Sequence, residues 1–149
     1  RSMTKFYAIP GLRAGYLAGS SADIAALAAA KEPWTMSNLA IAAAKACLGS
    51  KEYQQQTLWL IPQLRVELQQ GLEALGIKVF QSEVNYLLCR LPEFSCDGVE
   101  LAAGLRQKGL LIRSCADFFP LDDRYVRVAV LDREANLRLL SEIEGSFSR

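Results

Sequence analysis

The sequence of 149 residues contains no histidine. This excludes from the chain Ser-His-Asp and Cys-His nucleophilic catalysis, the HExxH zinc signature and any imidazole proton shuttle. Chemistry carried by these residues must use Lys, Arg, Tyr, Ser, Thr or carboxylates. Excess charge is missing as well: 17 basic and 16 acidic side chains leave a formal net charge of +1, so no strong field favours a nucleic-acid partner. Long apolar runs are missing too. The least charged stretches, Ala22–Ala30 and Leu39–Leu48, are rich in alanine and too short to span a bilayer. The polar, cationic first residues do not read as a signal peptide, and no membrane association is expected. Cys47, Cys89, Cys96 and Cys115 form no CxxC, and their spacing suggests neither a disulfide framework nor a zinc site. They read as small buried hydrophobes in a chain kept in a reducing cytoplasm.

What is present is an ordinary globular composition, 51% hydrophobic and 22% charged, in a length that supports one domain with a real core. Gly15–Gly19 is short, apolar and glycine-bounded, as a buried strand would be. Ser20 with Asp23 makes a capping box before an alanine-rich helix that ends near Lys31–Pro33. A second helix fits Ser37 to Leu48, with Gly49 as its stop. A third runs from Lys51 to Leu75, where Leu58, Ile61, Leu64, Leu68, Leu72 and Leu75 recur every three or four residues; Pro62 should kink or break it. Beyond Gly76 the pattern changes. Ile77–Phe80 and Tyr86–Leu91 read as strands, and Cys96–Lys108 as a helix with Asp97 and Glu100 at its positive end. Leu110–Arg113 reads as a strand, Ser114–Asp123 as a loop, Tyr125–Val130 as an alternating strand, and the stretch from Asp132 to Glu144 as a capped last helix. The expected fold is α+β: a two-layer sandwich with an antiparallel or mixed sheet and helices on one face, preceded by a mostly helical segment. The expected organisation is 1–50, a connecting helix over 51–75, and a small domain over 76–149.

Two constellations carry chemistry. The first is Ser2-Met-Thr-Lys-Phe-Tyr-Ala-Ile-Pro-Gly-Leu-Arg-Ala-Gly-Tyr16. Lys5 stands among apolar and aromatic residues, where desolvation can favour the neutral amine that reacts with an aldehyde. Ser2, Thr4 and Arg13 offer hydroxyls and a guanidinium for a phosphate, and the Pro10-Gly11 turn can bring Arg13 back toward Lys5. The second is a pair of strand arginines, Arg113 and Arg127, each equally compatible by itself with a solvated strand face.

The first constellation resembles the cofactor-lysine signature of the class I/II aminotransferase superfamily: a serine, two residues, the lysine, then Gly-Leu-Arg-x-Gly-Tyr. Here these are Ser2, Lys5, Gly11, Leu12, Arg13, Gly15 and Tyr16, with Arg13 eight residues after Lys5 as in the family. The resemblance implies that Lys5 bonds covalently to pyridoxal 5'-phosphate and moves protons at the substrate α-carbon. It implies that Ser2 and Arg13 bind the cofactor phosphate. Arg127 matches the carboxy-terminal Arg-Val-Ala-Val strand whose arginine grips a substrate carboxylate, and Arg113 resembles the additional arginine that holds a substrate phosphate. Leu111–Cys115 and Leu121–Val130 look most similar to the threonine-phosphate decarboxylase branch of cobalamin synthesis, a relative of histidinol-phosphate aminotransferases, although Ser114 stands where many relatives have proline. The family's dimer, its amino-acid substrates and its acidic, polar and aromatic partners of the pyridine ring follow as implications. None of those ring partners can be placed in this chain, which is therefore expected to be a carboxy-terminal fragment, inactive alone. An aminotransferase-like domain of a transcriptional regulator is the alternative.

Overall fold

A computed structural model describes residues 1–147. The chain forms two compact units, Arg1–Thr57 and Leu58–Arg149.

The first unit is built from local signals. A closed loop opens it. The Ser2↔Gly15 bridge joins its two ends, with Met3 N–H donating to Ala14 (3.1 Å) and Tyr16 N–H to Arg1 (2.8 Å). Inside the loop lies a 3-10 turn, Pro10–Leu12, followed by Arg13 in the left-handed region (φ 50°). Helix α1 (Ser21–Ala30) begins where Ser20 accepts from Asp23 N–H at 3.2 Å, and α2 (Asn38–Gly49) where Ser37 accepts from Ala40 N–H at 3.1 Å. Each cap satisfies a backbone donor that the helix itself cannot. The buried apolar residues of this unit are Met3, Ala14 and Ala40.

One expectation fails here. Gly15–Gly19 is not a buried strand: beyond the single bridge at Gly15 it has no ladder, and Tyr16 and Leu17 are exposed. A strand exists only by pairing, and beyond the Arg1–Tyr16 contact at the neck no ladder reaches residues 17–19.

Helix α3 (Lys51–Ala74) runs through the boundary between the units. Pro62 does not end it. Proline removes the N–H that would reach the carbonyl of Leu58, and Leu58 is exposed, so water can serve that carbonyl. The expected apolar stripe is buried at Leu64, Leu68 and Leu72, while its Leu58 end lies open.

The second unit adds β1 (Lys78–Val79), β2 (Tyr86–Arg90), α4 (Gly98–Gln107), β3 (Arg113–Ser114), β4 (Tyr125–Ala129) and α5 (Arg133–Phe147). The strands form one antiparallel sheet in the order β1-β2-β4-β3. The register opposes Leu87 to Val128 and Cys89 to Val126, and all four are buried. They join Leu64, Leu68 and Leu72 of α3, Leu101 and Leu105 of α4, and Leu139 and Ile143 of α5 in one core. All three helices therefore cover the same sheet face, giving the two-layer α+β sandwich. The third strand begins later than expected: Leu110 and Ile112 pack against the core outside any ladder, and pairing starts at Arg113. Asp97 caps α4 with 2.8 Å contacts to Val99 and Glu100 N–H. Asp132 caps α5 through Ala135 N–H, and buried Asn136 bonds both ways to Leu131.

All four cysteines are free, Cys89 and Cys115 being buried. Among the described residues no helix is long and apolar enough to cross a membrane, and no acidic or thiol cluster could hold a metal ion.

Candidate functional site

The five sequence-derived site residues fall into two groups, Ser2, Lys5 and Arg13 in the first unit and Arg113 and Arg127 in the second.

In the first group, the bridged neck holds both ends of the loop. Gly15 is required there, since a Cβ would lie 2.9 Å from the carbonyl oxygen of Arg1. Residues 4–8 form turns in which Ala8 N–H donates to Lys5 and Ile9 N–H to Thr4. The Tyr53 hydroxyl donates to the Phe6 carbonyl at 2.9 Å. Its ring stacks on Tyr7 and meets Phe6 edge-on. The turn bearing Lys5 is thus pinned to the start of α3 by one hydrogen bond and an aromatic cluster. Lys5 itself is exposed, so the desolvation expected from its apolar neighbours is absent in this structure: those rings pack on Tyr53 rather than over the amine. Ser2 is exposed at the neck, where its Oγ accepts from Thr4 N–H at 3.4 Å; Arg13 is exposed and donates to Pro10 at 3.3 Å. An amine, a hydroxyl and a guanidinium on one loop form a donor set that fits an aldehyde cofactor carrying a phosphate.

In the second group, strand pairing does the positioning. Arg113 of β3 lies directly opposite Arg127 of β4, and Arg127 opposite Leu88 of β2. The alternation that sends Val126 and Val128 into the core sends Arg127 to the other face, and its register partner Arg113 goes with it. Arg127 is half-buried with its guanidinium 4.9 Å from the centre of the Tyr86 ring. Arg113 is more open; its guanidinium meets Asp117 at 2.5 Å and lies 5.3 Å from the Phe118 ring. Beside them sits the buried Cys115, whose thiol is pushed up chiefly by burial, pulled back by Arg127 and Arg113 and pushed again by Asp117. Burial and the neighbouring Cys115 push Cys89, on the core face, up to about 12.

Sequence reasoning missed Tyr53, Tyr86, Asp117 and Phe118. Tyr86 could have been found from strand alternation, which puts it on the same face as Leu88 and hence Arg127. The four-residue spacing of Arg113 and Asp117 carries no comparable signal in a loop.

A family model for class I and II aminotransferases matches residues 1–143. The chain is 38% identical over 147 residues to a threonine-phosphate decarboxylase of Salmonella typhimurium, covering 97% of this chain and 40% of that protein. It is 34% identical to a histidinol-phosphate aminotransferase of Methanocella arvoryzae, covering 98% and 40%. Among solved structures, a histidinol-phosphate aminotransferase from Clostridium acetobutylicum superposes with a TM-score of 0.89 at 34% identity, over 99% of this chain and 45% of that one. An L-threonine-O-3-phosphate decarboxylase from Porphyromonas gingivalis gives 0.86 at 28%, over 98% and 45%. The chain thus spans about 40% of the length of the curated relatives it matches.

Proposed function

The chain belongs to the class I and II aminotransferase family, and from that premise we propose that it is the carboxy-terminal part of a pyridoxal-phosphate enzyme acting on a phosphorylated amino acid or amino alcohol. The observation that carries the substrate class is the cross-strand pair of Arg113 and Arg127. Like charges placed directly opposite each other across strands are unfavourable. A site that keeps two guanidinium groups there suits a ligand with two anionic ends.

In this reading Arg127 holds the substrate carboxylate through two parallel N–H···O bonds, oriented by the Tyr86 ring beneath it. Arg113 takes the phosphate. Ser2 and Arg13 hold the cofactor phosphate, and the Lys5 Nζ bonds to the cofactor and moves the proton at the substrate α-carbon. Pyridoxal phosphate, when bound, supplies the electron sink at that carbon. The reaction proposed is loss of the α-carboxylate, supported by the 38% identity to the Salmonella enzyme, with a place in cobalamin synthesis. Amino-group transfer is the second reading, favoured by the 0.89 superposition on the Clostridium protein. The full-length protein is proposed to be a cytoplasmic homodimer.

The test is borohydride reduction of the full-length protein with pyridoxal phosphate, followed by peptide mapping. The pyridoxyl group is expected on Lys5, and Lys5→Ala is expected to remove the cofactor's protein-bound visible band. Label confined to other lysines, or a band that survives the substitution, refutes the assignment.

A further inference from the structure

Arg113 and Arg127 face each other across one strand pair, yet the sheet treats them differently. Among the described residues no carboxylate pairs with Arg127, which rests on an aromatic ring. Arg113 is already occupied: Asp117, four residues on, contacts its guanidinium at 2.5 Å. The loop that brings Asp117 back is tethered to the sheet. Cys115 N–H donates to the Tyr125 carbonyl at 2.9 Å, Phe118 N–H donates to Cys115 at 2.9 Å, and the Phe118 ring lies beside the same guanidinium.

We propose that Asp117 is a built-in counter-anion of Arg113, which the anionic end of a ligand must displace to enter the site. The proposal rests on the reading of Arg113 as an anion-binding residue. One observation and two physical arguments carry it. Both side chains are half exposed or more, 50% for Arg113 and 65% for Asp117, so the pair is open to exchange with a solute anion. Its energy is that of an exposed ion pair, small and screened, and does not lock the arginine. Neutralising Arg113 also relieves its repulsion with Arg127 while no ligand is present. The tethered carboxylate competes at an effective concentration on the order of millimolar. A phosphate, carrying about two charges and three acceptor oxygens, displaces it; an uncharged ligand end leaves the pair intact. Asp117 therefore sets the threshold affinity for the distal anion and bears on the carboxylate at Arg127 only through the weaker coupling between the two guanidinium groups.

The test uses two unreactive ligands, 3-phosphonopropionate, which has both anionic ends, and propionate, which has only the carboxylate. Dissociation constants are measured by calorimetry on the full-length protein and its Asp117→Asn, Arg113→Ala and doubly substituted forms. Asp117→Asn is expected to tighten 3-phosphonopropionate by up to about fivefold, the scale of an exposed ion pair, and to change propionate less than twofold. The gain should vanish in the Arg113→Ala background. If Asp117→Asn weakens the phosphonate or leaves it unchanged while Arg113→Ala still weakens it, Asp117 orients Arg113 or is a bystander, and the counter-anion is refuted. If Arg113→Ala itself leaves phosphonate binding unchanged, the reading of Arg113 falls and this inference falls with it.

Discussion

The two units of this chain solve the problem of order differently. The second unit buries fourteen apolar residues in one cluster drawn from three helices, two strands and the segments that adjoin them. The first buries Met3, Ala14 and Ala40 and leaves Leu17, Leu27, Trp34, Leu39 and Leu48 open to solvent. Its helices stand on serine caps and its Lys5-bearing loop on a bridged neck and the Tyr53 anchor. Every side-chain ion pair found among the described residues also lies in the second unit. Arg113 and Arg127 are thus mounted on a packed core, whereas Lys5 rides on a turn held by the bridged neck, one side-chain hydrogen bond and the ring contacts of Tyr53. Local signals suffice to define helices, but rigidity comes from burial.

The sharpest way to break this comparison is to delete equivalent side chains from both units. Leu105 of α4 is fully buried, so Leu105→Ala should destabilise the second unit by about 2–5 kcal/mol in denaturant unfolding. Leu27 of α1 is 54% exposed, and Leu27→Ala should cost no more than about 0.5 kcal/mol. Equal losses would mean that the first unit has a core after all. A smaller contrast lies within α4 alone. A Cβ on Gly98 would meet Val126 Cγ1 at 2.6 Å and the Asp123 carbonyl oxygen at 2.9 Å, so Gly98→Ala should cost roughly 1–3 kcal/mol. Nothing lies within 4 Å of a Cβ on Gly104, and Gly104→Ala should stabilise by about 0.5–1 kcal/mol through helix propensity. A midpoint for Gly104→Ala below that of the parent protein would show that packing, not backbone entropy, governs that turn.

Legibility in the sequence follows local signals rather than the division between the units: α1 and α2 are readable behind Ser20 and Ser37. Elements with a period and a cap were readable: α4 behind Asp97, α5 behind Asp132, and β4 from its valine alternation, which also puts Arg127 on the face away from the core. Gly15–Gly19 satisfies a strand pattern with its apolar residues, but a strand needs a partner that composition cannot reveal. Apolar residues adjacent to Lys5 in sequence need not pack on its amine; here Phe6 and Tyr7 turn to Tyr53. Asp117 was invisible because its role depends on a loop turning back on its own strand, and no periodicity governs loops.

The smallest effect expected is electrostatic and again belongs to the second unit. Lys108, just past α4, meets Glu142 of α5 at 2.5 Å, and Arg138 donates to the Lys108 carbonyl. The Lys108 hydrogen bond holds the Glu142 carboxyl below its usual 4.5, against a lesser opposing effect of burial, with the Lys108 and Arg138 charges assisting. A carboxyl lowered in the folded state binds its proton more readily when unfolded. The contribution is therefore present above the ordinary value and lost as pH falls through the lowered one. Denaturation midpoints of the parent protein and Glu142→Gln should differ at pH 7, with the parent more stable, and converge as the pH drops below about 4.5. Added salt should narrow the gap at pH 7, since the pair is partly exposed. A gap independent of pH would assign the stabilisation to packing of the side-chain stem between α4 and α5, and would remove the ionic share from the contrast between the two units.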